Sequence, residues 1–516
     1  MATSQARLSA CSALLATLLC GAATPALAQA VSTAPSVGSG ISQEQALALS
    51  ARLDALERQN AELARRLEEL GAQSTAGDAA IRKDLGKAKV SMDNGRPAFA
   101  SADGRFTANL NGFFQLDGAI YDQDSAGPLA TDFRRGSYGS ADEAERARDF
   151  ADGMNFRRVR FGMNGKAFGD WDYNFLFDFG GSGNEPGGVI NQAWVQYSGL
   201  EHVKLRIGAF PPQSNMDDQT STTALVLLER SAVSEVVRGM AAGDGRTAVA
   251  ILAGGDRWNL SAAVTGNLVG QSSFDEQLGL VGRATFVPLK TDRALVHLGA
   301  NVSMLVNPPS SGPDLGAGSP TTNVRFRERV ESRVEGVRLV DTGSINADGA
   351  TIWGLEAAAQ YGPVYVQSEY FDLGIDRKGG ALPDPDFSGW YVQGAWTLTG
   401  QPRRYSATSG AFGSPKVDKP FDLQAGTWGV WEVAARYSNL DLNDGAVLGG
   451  EQDVVTVGLN WYPNSSVRFQ ANFQNVEVDR ISPGGTAWGA GVLTPPAGAQ
   501  VGQDLKVWSF RTQYAF

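Results

Sequence analysis

The chain has 516 residues, 19% of them charged, and a formal net charge of -11. An apolar fraction of 42% excludes a disordered chain, and the acidic balance argues against nucleic acid as a partner. A mean hydropathy of -0.19 excludes a bundle of membrane helices, but it permits a membrane β-barrel, whose strands alternate rather than run apolar.

Residues 1–28 are typical of a secretory signal peptide. A positive residue precedes the apolar stretch Leu8–Ala23, and Ala26-Leu27-Ala28 fits a cleavage site. A lipoprotein signal ending at Cys20 is the alternative, which the bulky residue before that cysteine disfavours. Because Cys11 and Cys20 both lie in this segment, the mature chain is predicted to lack disulfides, thiol catalysis and cysteine-ligated metals.

Leucines recur at the 3.5-residue spacing of a heptad between Leu49 and Leu70, with Asn60 at one core position. This pattern predicts a coiled coil over residues 41–71 that holds an oligomer together in the periplasm. A lone amphipathic helix lying on another surface is the alternative. Residues 72–100 are predicted to be a linker.

From Phe106 onward the apolar residues alternate with polar or small ones. Many of these runs reach ten residues, which suits a tilted membrane strand with lipid outside and water inside better than a soluble sandwich. Such strands must close into a barrel, because an open edge is not satisfied in lipid. We count about sixteen runs, which predicts an all-β fold: a transmembrane antiparallel barrel over residues 101–516. The longest connections are expected near residues 122–152, 308–323 and 483–503.

The last strand, Leu505–Phe516, carries aromatic residues on one face and ends in phenylalanine. This ending resembles the assembly signal of outer-membrane barrels. After the signal peptide, no stretch approaches the apolar length of a membrane helix. With the export signal, these features predict the outer membrane of a Gram-negative bacterium.

Catalytic constellations are not evident in the sequence. Its two histidines, His202 and His297, stand in separate strands without a paired Ser/Asp motif or metal-ligand spacing. We therefore expect no enzyme activity, no catalytic residues, no metal site and no cofactor.

Two arginine clusters are the candidate binding residues. In the first, alternation directs Arg158 and Arg160 into the lumen, while Arg157 breaks the pattern and is expected at the strand's mouth or on a bulge. In the second, Arg325, Arg327 and Arg329 are expected on one face of an extended segment, about 6–7 Å apart.

Such a column would pass an oxyanion from one guanidinium to the next. The alternative is a solvated segment whose arginines are balanced by nearby acids, namely Glu328, Glu331 and Glu335.

The chain resembles the phosphate-selective porin O and P family over most of its length after residue 100. The resemblance is carried by FRRVRFGMNGKAFGDWDYNFLFDF (156–179), LLERS (227–231), GWYVQGAWTLTG (389–400), WEVAARYSNLDL (431–442), LNWYPN (459–464) and the terminal QYAF. It implies a homotrimer of sixteen-stranded barrels, with loops folded inward and an arginine ladder that leads anions to a narrow eyelet.

Site residues follow from the resemblance by position. Arg157 and Arg158 match the family's eyelet pair. The family's ladder is matched by Arg230 of the Glu-Arg motif and by four residues of the second cluster, Arg325, Arg327, Arg329 and Arg333. Ser221 and Thr222 match a pair of hydroxyls at the constriction.

Three positions depart from the family pattern. Asp172 and Asp218 stand where phosphate-specific members have lysine, and Asn191 replaces an eyelet aspartate. The two lysine-to-aspartate changes alter the local charge by about four units, so we expect the anion path to persist and high-affinity phosphate binding to weaken.

The leading prediction is a porin for passive diffusion of small anions such as phosphate or polyphosphate, embedded in outer-membrane lipid. A weakly selective general porin is one alternative. Another is a structural protein that anchors in the membrane through the barrel and contacts the cell wall through its coiled coil.

Overall fold

The computed structural model describes residues 43–85, 88–93, 95–128, 132, 146–181, 187–313, 315, 321–380, 382–480, 485–486 and 497–516. The predicted signal peptide lies outside these ranges. The chain divides into two compact units after Gly86. Within the described residues, no helix is both long and apolar enough to cross a membrane.

The first unit contains one long helix, α1 (Gln43–Leu85). It covers the predicted heptad segment, whose leucines, from Leu49 to Leu70, are 50–71% exposed. The helix also runs through residues 72–85, which we predicted to be a linker. These residues are rich in alanine and contain no proline, so nothing in them stops a helix.

The second unit begins with a hairpin where the rest of the linker was predicted. Strands β1 (Lys89–Asp93) and β2 (Arg96–Ala100) pair around a turn that includes Gly95 at φ 77°. β2 then pairs with the first barrel strand, with Ala98 opposite Asn109. The linker prediction was therefore wrong here, because a two-residue turn between short strands has no long sequence signal.

Sixteen antiparallel strands form the barrel, which closes where the last strand pairs with the first, Trp508 opposite Ile120. The predicted fold class is confirmed. The barrel strands are β3 (Thr107–Gln123), β4 (Gly153–Ala167), β5 (Trp171–Asp178), β6 (Val189–Tyr197), β7 (Val203–Ala209), β8 (Arg246–Gly254), β9 (Trp258–Leu268), β10 (Leu278–Lys290), β11 (Ala294–Asn307), β15 (Ile345–Tyr361), β16 (Val364–Arg377), β17 (Asp386–Thr397), β20 (Val430–Asp444), β21 (Val447–Tyr462), β22 (Val467–Asp479) and β24 (Gln503–Ala515).

Shorter elements lie in the connections between barrel strands. They are α2 (Met216–Gln219), α3 (Ala232–Ala241), β12 (Asn323–Val324), β13 (Arg327–Glu328), β14 (Val340–Asp341), β18 (Arg403–Ser406), β19 (Ala411–Pro415) and β23 (Gly485–Thr486).

The two faces of the barrel wall differ in chemistry. Large apolar side chains such as Phe161, Trp353 and Phe510 point outward and are 43–51% exposed. Charged side chains such as Arg283 and Glu356 point inward and are buried, 2.7 Å apart at their closest. Lipid-facing strands therefore enclose a polar interior, as the alternation predicted.

Connections from both ends of the barrel fold into this interior. Residues 210–245 (β7 to β8) and 308–344 (β11 to β15) enter from one end, and residues 398–429 (β17 to β20) enter from the other. The first and third were not among the long connections that we predicted. Their apolar runs, such as Ala224–Leu228, look like strand sequence, although here they pack inside the barrel.

Hydrogen bonds from wall side chains to its backbone carbonyl oxygens fix the inner segment, residues 222–230, to the barrel wall. Side chains on several strands donate to its carbonyl oxygens: Gln115 to Thr222 (3.0 Å), Arg468 to Leu225 (2.6 Å), Asn460 to Val226 (2.8 Å) and Arg436 to Glu229 (3.0 Å). Buried carbonyl groups need such partners, so these polar side chains determine where the segment lies.

Removing Arg436 tests this anchoring. Arg436 also contacts Glu331 of the connection 308–344, so Arg436→Met removes the arginine from the Oε2 atom of that buried carboxylate and from the carbonyl oxygens of Glu229 and Arg230. We expect a loss of about 3–5 kcal/mol of local stability and faster proteolysis within residues 222–230. Arg377→Met, an exposed arginine bound to Pro383, is the control and should leave the digestion unchanged. Equal digestion of both variants would contradict the anchoring role.

Candidate anion-binding cavities

A cavity of about 290 Å³ lies between strand β4, the start of β6 and helix α3. We call it the first arginine cavity. Its charged lining residues are Arg157, Arg158, Arg160, Arg238, Arg246 and Arg333, with Asp178, Glu235 and Asp244. Six guanidiniums against three carboxylates leave an excess of three positive charges among the residues that face it.

Strand β4 supplies three of these arginines because its register shifts. Gln115 of β3 lies opposite Arg158 and Leu116 lies opposite Phe156, so Arg157 is an extra residue between them. This bulge turns Arg157 inward beside Arg158, and both are buried. The bulge predicted for Arg157 and the inward direction of Arg158 and Arg160 are confirmed.

Helix α3 supplies Arg238, which the sequence reasoning missed. Ser231 caps the helix by accepting a hydrogen bond from the Ser234 backbone N–H. Its buried residues Val233, Val236, Val237 and Met240 follow the helical spacing, and Glu235 and Arg238 reach the cavity. This 3.6-residue period inside a β-protein was a readable signal of an inner helix.

One carboxylate, that of Asp244, links Arg160 of the wall to Arg238 of the helix. Arg160 Nε donates to Asp178 at 2.7 Å, and Arg160 Nη2 donates to Asp244 at 2.8 Å. Arg238 lies 3.3 Å from the other oxygen of Asp244 and 2.6 Å from Asp218. Arg246 instead donates to backbone carbonyl oxygens, including that of Ala242 at 2.9 Å. These acceptors are neutral dipoles.

The three departures from the family pattern lie in different surroundings. Asn191 lines the first arginine cavity, and its Oδ1 is buried without a hydrogen bond. Asp218 lies behind the lining, bound to Arg238. Asp172 accepts from Gln196 and Ser198 (3.1 and 2.6 Å) and lines neither arginine cavity. Arg238 therefore balances one of the two aspartates.

A second arginine cavity, of about 310 Å³, adjoins the first and shares Glu235 and Gly239 with it. Its cationic lining residues are Arg325, Arg327 and Arg338. Arg325 Nε donates to Asp341 at 2.7 Å.

The predicted column of three arginines was wrong at Arg329. That residue is buried against Glu328, 3.6 Å away, and lines neither cavity, because the strand of this segment covers only Arg327 and Glu328 and the alternation ends there. Arg333 lies 2.8 Å from Glu235, which both cavities share.

Three further predicted residues lie in the inner segment or beside it. Arg230 is buried and donates to the carbonyl oxygens of Asp217, Asp218 and Thr220, so it fixes the loop. The Ser221 hydroxyl lies 3.0 Å from that of Thr223, whereas Thr222 is held through its carbonyl. The hydroxyl pair in the structure is therefore Ser221 with Thr223, because the chain turns here: the Ala224 N–H donates to the Ser221 carbonyl oxygen at 2.8 Å, and the Thr223 N–H donates to the Ser221 hydroxyl at 3.4 Å.

Two buried carboxylates of the connection 210–245, those of Glu235 and Glu229, stay ionised at neutral pH. Burial alone would raise the pKa of Glu235, but Arg238, Arg333 and Arg230 lower it to about 2. Burial opposes ionisation of Glu229 as well, yet Arg157 and Arg158 hold its pKa well below the usual range. Both carboxylates therefore offset part of the arginine charge.

The histidines lie apart from both cavities. His297 Nδ1 is 2.7 Å from the Tyr405 hydroxyl, and His202 is exposed beside Glu201. Among the residues that the structure describes, no group of His, Cys, Asp and Glu has an arrangement that could hold a metal ion.

A closed sixteen-stranded barrel whose connections fold into a polar lumen defines a porin, a channel of the Gram-negative outer membrane and not an enzyme. The family model for the phosphate-selective porin O and P matches residues 133–487, more than half of the chain. The chain belongs to this family.

Two relatives are similar in sequence. Porin O of Pseudomonas aeruginosa is 28% identical over 353 residues, which cover 64% of this chain and 78% of the relative. An uncharacterized protein of Caulobacter vibrioides is 28% identical over 286 residues, which cover 54% of each chain.

Solved porin structures are more distant. The channel DcaP of Acinetobacter baumannii matches with a TM-score of 0.45 at 12% identity, covering 81% of this chain and 99% of its own. An anion-selective porin of Comamonas acidovorans gives 0.42 at 11% identity, covering 80% and 100%. Neither likeness bears on what this chain transports.

Charged thiol reagents test the electrostatic potential of the second cavity. Asn323 lines that cavity and is exposed, so Asn323→Cys offers a reactive thiol there. We expect a sulfonate-bearing methanethiosulfonate to react about tenfold faster than a trimethylammonium-bearing one at low salt, with the ratio falling as salt rises. Ala425→Cys, in an exposed turn of another connection, is the control with a ratio near unity. Faster reaction of the cationic reagent at Asn323→Cys would contradict a positive cavity.

Proposed function

We propose that this porin passes small oxyanions, phosphate and polyphosphate among them, through the two arginine cavities. The observation that carries the proposal is the first arginine cavity, where six arginines face three carboxylates. Guanidinium forks match the oxygens of phosphate and bind them bidentately. The family to which the chain belongs is described as phosphate-selective.

Passage requires that each site releases the anion it binds. The partial balance supports this: Arg160 is shared with Asp178 and Asp244, and Arg325 with Asp341. An anion in either cavity would meet arginines whose charge is already partly offset. Since both cavities are bounded by Glu235 and Gly239, the anion would move from one set of arginines to the next over a short path.

Reversal potentials across a KCl gradient test the anion preference. We expect wild-type channels to favour chloride, and Arg157→Gln/Arg158→Gln to reduce the chloride preference severalfold, because two lining charges are lost. Arg327→Glu should reduce it as well. A cation preference in the wild type would contradict the anion path, and an unchanged ratio in Arg327→Glu would contradict a role for the second cavity.

Phosphate titration of the chloride current separates the leading function from a weakly selective general porin. Block by phosphate supports specific binding in the cavities. Absence of block, with chloride preference retained, would favour the general porin, in which Asp218 offsets the charge of Arg238.

We also propose that α1 joins three copies of the chain through its leucine seam. The supporting observation is that the seam leucines are 50–71% exposed in the single chain. A row of exposed leucines is unfavourable in water and marks a surface that packs against a partner. Asn60 sits at a core position, where asparagine fixes the register of a coiled coil at some cost in stability.

Two glutamates in the seam test this assembly. Leu56→Glu/Leu63→Glu should convert the detergent-solubilised trimer to monomers, because like charges would meet at the core of the coiled coil. The same two glutamates at Arg58 and Arg65, which lie off the seam, form the control and should leave the mass unchanged. If the trimer persists but attachment to the cell envelope is lost, α1 serves as a tether to the cell wall instead.

A further inference from the structure

One buried carboxylate, that of Glu229, lies among three arginines of the barrel wall. Its Oε1 accepts from Arg157 Nε at 3.0 Å and from Arg511 Nη2 at 2.6 Å, and its Oε2 accepts from Arg158 Nη2 at 3.2 Å. The side chains of Glu229, Arg158 and Arg511 are at most 2% exposed. A single carboxylate thus holds both arginines of the predicted eyelet pair.

The position of Glu229 is fixed from two sides. Its backbone carbonyl accepts from Arg436 at 3.0 Å, within the segment 222–230 that the wall anchors. Arg511 is shared with Asp117, to whose two carboxylate oxygens its Nε and Nη2 atoms donate at 2.6 Å each. The carboxylate of Glu229 therefore cannot withdraw from Arg157 and Arg158 without moving the loop.

We propose that Glu229 is a built-in competitor for the permeating anion: it occupies guanidinium donors of Arg157 and Arg158 and thereby sets how tightly an oxyanion binds in the first arginine cavity. The inference rests on the proposed function. A carboxylate and a phosphate present the same geometry to a guanidinium fork, so each donor held by Glu229 is lost to the solute.

The remaining charge explains why binding would be weak but not absent. Arg157 and Arg158 both line the cavity while they contact Glu229 behind it. A passing anion would meet the residual charge of the pair. This arrangement suits a channel, in which a site must bind the ion and then release it.

The opposite role for Glu229 is that of a positioning residue that holds the two arginines ready for the anion. The two roles predict opposite changes in phosphate affinity when Glu229 is removed. If Glu229 competes, its removal strengthens phosphate binding; if it only positions, removal weakens it.

Glu229→Gln keeps the shape of the side chain and removes its charge. In planar bilayers, we would measure the inorganic phosphate concentration that halves the chloride current, together with the reversal potential across a KCl gradient. We expect the half-blocking concentration to fall about tenfold and the chloride preference to rise. Glu229→Asp, whose shorter side chain loosens the contact, should lower the half-blocking concentration by a smaller factor, so the expected order of affinity is Gln, then Asp, then wild type.

Glu432→Gln is the matched control. Glu432 is equally buried and binds one arginine, Arg403, at 2.8 Å, but it lines neither arginine cavity. Its half-blocking concentration should stay at the wild-type value. If Glu229→Gln does not fold, the Glu229→Asp variant alone decides whether the half-blocking phosphate concentration falls or rises.

The proposal is overturned if phosphate blocks Glu229→Gln or Glu229→Asp no more strongly than the anion-selective wild type. A wild type that prefers cations would instead overturn the proposed function itself, so the two failures are distinct.

Discussion

The interior of this barrel depends on the need to satisfy the backbone of a loop that lies inside it. Residues 222–230 have no strand partner there, and their carbonyl oxygens accept hydrogen bonds from wall side chains, among them Arg468, Asn460 and Arg436. These three donors stand on strands β20, β21 and β22, so the loop is held against that part of the wall. The first arginine cavity lies between β4 and α3.

The need of buried polar groups for partners also explains the chemistry of the cavities. Buried arginines need partners, and the loop brings carboxylates such as Glu229 and Asp244 to them. Each partner fixes a guanidinium and removes part of its charge. Anchoring and selectivity are therefore properties of the same ion pairs. The surplus of arginine over carboxylate at the cavity surface decides whether the channel favours anions or cations.

Local patterns predicted much of this structure. Alternation gave sixteen strands, the direction of Arg158 and Arg160, and the bulge at Arg157. The partners of these arginines were beyond reach, because Arg157 and Glu229 are 72 residues apart and no local pattern records such a contact. The connection 210–245 was missed because its apolar run resembles a strand, while the helical period of α3 could have revealed it.

In the proposed function, anions pass through the first arginine cavity. Anomalous diffraction from crystals of the protein grown in bromide is the sharpest test, since bromide replaces chloride and its position is visible. We expect bromide peaks within the first arginine cavity, beside Arg157, Arg160 and Arg238. Bromide found elsewhere in the lumen but absent from this cavity would contradict it.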